Sequence, residues 1–144
     1  MKITIPIRRF TISLALLVFC ASATAQDVVV VANLGVGVSA IKDADLRAIF
    51  LGEKTRLPDG SRVLPVMLRG GPAHEIFLEN RLGKSPDEFR AQWRRAVFTG
   101  QGAMPKSFDS EAAVLEYVAA TPGALGYVSH VSPQDNVKRI HPER

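Results

Sequence analysis

A single α/β lobe with a small, mostly parallel or mixed sheet flanked by helices is the fold class that three features of the sequence predict. Val28-Val29-Val30-Val31-Ala32 is an unbroken apolar, β-branched run, the mark of a strand buried on both faces. Ser85-Pro86-Asp87-Glu88 reads as a helix start, with a serine cap, proline at the first helical position and a glutamate that closes a capping box. Strand-like and helix-like segments then alternate as far as Leu125-Gly126-Tyr127-Val128, the pattern of an α/β sheet.

The elements follow in order. After the valine run, Asn33 to Lys42 reads as a glycine-containing loop. Asp43 is placed to cap a helix in which Leu46, Ile49 and Phe50 share a face, and Gly52 stops it. Pro58-Asp59-Gly60 is a turn, and Val63 to Leu68 a second strand. Gly70-Gly71-Pro72 leads into a helix through Leu82, with Gly83 as its stop. Behind the capping box, Phe89, Trp93 and Val97 recur every four residues, so they read as the buried face of a helix. Phe98 and Tyr117 also read as core rather than as a platform for a ligand. Asp109 or Ser110 starts a last helix with Ala113, Val114, Tyr117 and Val118 inward, and Thr121-Pro122-Gly123 ends it. Val137 to Ile140 completes the pattern as a further strand.

The first 25 residues have the three-part layout of a secretory signal peptide. Lys2, Arg8 and Arg9 give a positive start, Phe10 to Cys20 is almost wholly apolar, and Ala23-x-Ala25 is a small-x-small cleavage site. The apolar run is short for about 30 Å of hydrocarbon, which argues against a membrane anchor. A lipoprotein signal at Cys20 would want a small residue where Phe19 stands. Cleavage after Ala25 leaves residues 26–144 as one domain without cysteine, suited to a periplasmic or secreted location. It also changes the charge. The full chain carries 18 basic and 14 acidic residues, +4. Without Lys2, Arg8 and Arg9 the balance is 15 against 14, which removes the case for a nucleic-acid partner.

Little in the chain resembles catalytic machinery. Gly35-Val36-Gly37-Val38-Ser39-Ala40 fits a loose dinucleotide pattern, but no helix opens directly from it, so it reads as a plain loop. His74, His130 and His141 lack metal-ligand spacing, and no serine elbow or cysteine nucleophile can be named; no cofactor and no metal are expected. Asp43, Asp45, Asp87, Glu88 and Asp109 lie near helix starts, where acids complement the helix dipole. Arg94 and Arg95 read as a solvated face. One arrangement carries chemistry. Arg69 ends a strand, Gly70 and Gly71 free the backbone to turn, and Pro72-Ala73-His74 open a helix whose N–H groups would converge beside the guanidinium. Arg69, Gly70, Gly71, Ala73 and His74 therefore form a candidate oxyanion site. The competing reading makes Gly-Gly-Pro a turn only, with Arg69 paired to a surface acid.

Beyond these local readings, Val28 to Val131 resembles the phosphate ABC transporter substrate-binding proteins, which have the type II periplasmic binding fold. The resemblance lies in Leu46-Arg47-Ala48-Ile49-Phe50-Leu51-Gly52, in Pro58-Asp59-Gly60-Ser61 with Leu64-Pro65-Val66, in Trp93 through Gly100, and in Pro122-Gly123-Ala124-Leu125-Gly126-Tyr127-Val128. It is nearest to short, single-lobe members of that family. The resemblance implies an exported, non-enzymatic solute-binding-like protein of the phosphate or oxyanion class, with a membrane permease or a second copy of the chain as protein partner. It places Arg69 at the position of an anion-binding arginine. The Ser-Gly-Thr that follows that arginine in the family is replaced here by Pro72-Ala73-His74. The lost hydroxyls, and a single lobe where relatives close two around the ligand, imply weak or lost affinity; His74 would add charge on mild acidification. The alternative function is an interaction or dimerisation module that has lost ligand binding.

Overall fold

The computed structural model describes residues 27–144. The signal-peptide expectation for residues 1–25 falls outside them. Six strands form one mixed sheet: β1 Val29–Asn33, β2 Ala40–Lys42, β3 Leu64–Leu68, β4 Lys106–Phe108, β5 Ala124–Val128 and β6 Val137–Glu143. Four helices accompany them: α1 Asp43–Phe50, α2 Pro72–Phe77, α3 Pro86–Phe98 and α4 Glu111–Ala120. The strand order is β2-β6-β1-β5-β3-β4.

The sheet has two halves. β1 runs antiparallel to both its neighbours, pairing Val30 with Tyr127 of β5 and with Ile140 of β6. On the other side β5, β3 and β4 are mutually parallel. The valine run is buried as its composition requires: Val30, Val31 and Ala32 are at most 1% exposed. β5 is buried along its whole length. Gly126 at its middle is needed for contact, since a Cβ there would lie 2.9 Å from Val66 Cγ2 and 3.1 Å from Val114 Cγ1.

Local signals fixed most helix ends. The Ser85 hydroxyl accepts the Glu88 N–H at 3.3 Å, and the Glu88 carboxylate accepts the Ser85 N–H at 2.8 Å, so the capping box is complete. Ser110, rather than Asp109, caps α4 by accepting the Ala113 N–H at 3.2 Å. α2 continues through one π turn over Leu78–Leu82 and stops at left-handed Gly83.

Several expectations are corrected. Asp43 is the first helical residue and caps nothing; Lys42 precedes it directly from β2, and the Asp43 carboxylate accepts from Arg81 Nη1 at 3.3 Å. The loop expected over Asn33–Lys42 contains β2, and β4 arises in a stretch with no strand signature. Phe89 and Trp93 are buried in α3, but Val97 is 50% exposed and Phe98 92%. The final turn of α3 runs on past the elements that cover its first half, so periodicity continues where burial has ended. In α4 it is Val114 and Val118 that are buried, while Ala113 and Tyr117 are half-buried.

Candidate functional site

The parallel strands β5, β3 and β4 end at one edge of the sheet, the edge at which α/β folds collect ligands. Arg69 follows β3, Asp109 follows β4 and Ser129 follows β5. The Arg69 N–H donates to the Phe108 carbonyl at 2.9 Å, which ties the two strand ends together. A cleft of about 480 Å³ opens there, with Arg69, Gly70, His74, Glu75, Asp87 and Arg90 in its wall.

The arginines of this cleft are already paired. Arg69 Nη1 donates to both oxygens of Asp109, at 2.9 and 2.8 Å. Both side chains stand mainly in solvent, 61% and 78% exposed, so the pair is worth about 0–1 kcal/mol and gives way to a competing anion. Arg90 pairs with Asp87 on the first turn of α3.

Behind the arginine the backbone turns sharply. Gly71 has φ 92°, a conformation that disfavours any side chain, and Pro72 sets the start of α2. The first intrahelical bond runs from the Glu75 N–H to the Gly71 carbonyl at 3.1 Å. Ala73 and His74 therefore carry the first N–H groups without an intrahelical acceptor. Of the five residues singled out from the sequence, Arg69, Gly70 and His74 line the cleft, whereas Gly71 is the helix cap and Ala73 is buried beneath it.

His74 is 8% exposed, and its Nδ1 lies 2.6 Å from the Tyr127 hydroxyl. That hydroxyl also accepts the Leu68 N–H at 3.3 Å. The Tyr127 proton then has one good destination, Nδ1, so the neutral imidazole carries its own proton on Nε2. Burial holds the His74 pKa below the ordinary imidazole value; Glu75 opposes the shift and Arg90 adds to it. Burial likewise pushes the Tyr127 phenol up, which keeps it a hydroxyl donor. His74 thus resists the protonation that its place in the sequence suggested, because the imidazole is taken out of water and its second nitrogen is occupied.

Arg90 in the cleft wall, Asp109 as the partner of Arg69 and buried Tyr127 as the partner of His74 were not singled out for the site from the sequence. Asp109 carried one signal, a position just before a serine cap at a strand-to-helix junction. Tyr127 carried none beyond its place in a buried strand.

The backbone settles the class of fold through its likeness to solved structures. An ABC-type phosphate transport receptor from Vibrio cholerae superposes with a TM-score of 0.56 at 16% identity, over 79% of this chain. The chain has the fold of phosphate-transport substrate-binding proteins. A phosphate ABC transporter substrate-binding protein from Clostridium perfringens, solved with bound phosphate, gives 0.60 at 14% identity over 79% of this chain. PstS from Borrelia burgdorferi gives 0.59 at 15% identity over 81% of this chain. The chain spans about half the length of these proteins: 45%, 44% and 47% respectively. No family model matches the sequence. Among the described residues there is no cluster of three His, Cys, Asp or Glu suited to a metal ion, and no helix is long and apolar enough to cross a membrane.

Proposed function

We propose that this chain is an exported, non-enzymatic solute-binding lobe of the phosphate or oxyanion class, with weak affinity on its own. The observation that carries the reading is the position of Arg69 at the carboxyl edge of the parallel strands, within a fold shared with phosphate-transport proteins. An oxyanion at Arg69, Gly70, Gly71, Ala73 and His74 would take a guanidinium, the backbone donors of the turn and the Nε2–H of a neutral His74. Its oxygens would replace the Asp109 carboxylate on Arg69. The cost is the open setting: Arg69 is 61% exposed, so solvent and salt screen the attraction. The protein partner on this reading is a membrane permease or a second copy of the chain.

Titration calorimetry with phosphate and sulfate, on the protein and on Arg69→Ala, tests the reading. The expected dissociation constant is nearer millimolar than micromolar, about −4 rather than −8 kcal/mol, and Arg69→Ala abolishes the heat. Micromolar binding refutes the weakness, and binding that survives Arg69→Ala refutes the location.

A second reading, an interaction module without a ligand, is favoured by one observation. Phe98, Val97 and Met104 form an exposed apolar patch at the end of α3, and Met104 reaches from it into the cleft wall. Concentration-dependent dimerisation that Phe98→Ser abolishes, together with no oxyanion binding at any pH, would establish this reading in place of the first.

A further inference from the structure

A second concavity, of about 310 Å³, lies beside the N-terminal half of β3. Three cations stand in its wall, Lys54, Arg62 and Lys106, and no carboxylate does. Lys54 is held by Asp45, which lies outside the groove. Arg62 and Lys106 form no ion pair with any described carboxylate. Two of the three cations are thus without a described carboxylate partner, unlike the arginines of the Arg69 cleft.

Apart from Thr55 and Gln101, the rest of the wall is apolar and aromatic. Trp93 is 3% exposed, and its indole N–H donates to the Phe50 carbonyl at 3.2 Å, so the ring is fixed and offers the groove only hydrocarbon. It packs so close that a Cβ on Gly52 would meet its Cη2 at 2.7 Å. Lys106 Nζ stands 4.7 Å from the centroid of the Tyr117 ring, a cation–π contact at the groove wall. Met104 and Pro65 extend the apolar surface. Largely apolar walls whose charged groups are all of one sign, at about the volume small-molecule sites occupy, select for a ligand of matching build.

We propose that this groove binds a small organic anion with a flat apolar body, an aromatic carboxylate in chemical class. The carboxylate faces Arg62 and Lys106, and the ring lies along Met104 and Pro65, against the edge of buried Trp93. An inorganic oxyanion meets the charge but leaves the apolar wall wet, so it binds here less well than the carboxylate does. The site is independent of Arg69.

Trp93 is the protein's one tryptophan, and its emission reports occupancy directly. The test titrates 3-phenylpropionate, its neutral amide and inorganic phosphate into the protein and into three variants: Arg62→Gln with Lys106→Gln, Arg69→Ala, and Trp93→Phe as a fluorescence control. Arg62 and Lys106 are exposed, so the double variant keeps its fold, and an unchanged thermal midpoint verifies this. The expected result is a saturable change in Trp93 emission with the carboxylate, at least tenfold weaker binding of the amide, and at least tenfold weaker binding in the double variant. Arg69→Ala leaves the titration unchanged. Equal binding of acid and amide overturns the proposal, as does full binding by the double variant or no saturable change up to about 10 mM, beyond which affinity falls below the weakest useful range. Absence of any phosphate binding by the unaltered protein, with the carboxylate titration intact, would sink the proposed oxyanion function and leave this one standing.

Discussion

The cleft at Arg69 and the groove at Arg62 flank the two ends of one strand, and both are lined by arginine. They differ in what already holds the cations. At the carboxyl end Asp109 sits on Arg69 and Asp87 on Arg90, so an incoming anion gains only the difference between two carboxylate-like partners. At the amino end Arg62 and Lys106 face aromatic and aliphatic walls with no described carboxylate as partner. The number of positive side chains around a concavity therefore says little about its readiness for an anion; their prior pairing says more. The walls differ as well. The cleft is built on a polar chain from Leu68 N–H through Tyr127 to His74, and the groove on packed hydrocarbon around Trp93.

The contrast can be broken most sharply at Trp93. Trp93→Ala should cost about 3–5 kcal/mol in urea denaturation, because a large, nearly buried ring leaves a cavity beside Phe89 and Gly52. A loss below about 1 kcal/mol would mean that the groove wall is not packed as described. Tyr127→Phe comes next. It keeps the ring stacked on Phe77, at a centroid distance of 3.8 Å, and strands the Leu68 N–H and His74 Nδ1. The expected cost is about 1–3 kcal/mol, with the groove's Trp93 emission unmoved. Unchanged stability would show that water replaces the hydroxyl and that the polar chain does not organise the cleft.

The smallest effect is that of pH. His74 folds with its pKa below the ordinary 6.5, so the unfolded chain binds the proton more readily than the folded one. Its contribution to stability is complete above about pH 6.5 and declines as pH falls below that value towards the depressed folded pKa. Urea denaturation at about pH 7.5 and 5.5, on the protein and on His74→Gln, isolates the contribution; the acid-side loss should be smaller in the variant. An equal loss in both would place the proton uptake elsewhere. For the same reason, mild acidification should not strengthen oxyanion binding through His74.

How far the sequence reached depended on whether a feature was local. The valine strand, the Ser85 capping box, the Gly83 stop and burial of Phe89 and Trp93 each rest on residues within a turn or two of one another, and all were legible. β2 and β4 were not, because three-residue strands owe their existence to the neighbours they pair with, β6 and β3, far away in the chain. Val97 and Phe98 misled because periodicity describes a helix face and not how far its cover extends. The site divided the same way. Arg69 and the Gly70–Gly71 turn stood out from adjacent residues, while Asp109 lies 40 residues from Arg69 and Tyr127 lies 53 from His74, partnerships that only the folded sheet creates.

The place of β1 at the middle of the sheet sets an order of events. Its hydrogen-bonding neighbours are β5 and β6, which begin at Ala124 and Val137. A chain made from its amino end holds Val29–Asn33 unpaired until Ala124–Val128 of β5 has emerged. Closure of the sheet is then a late, long-range step, intrinsically slow compared with the formation of the helices between.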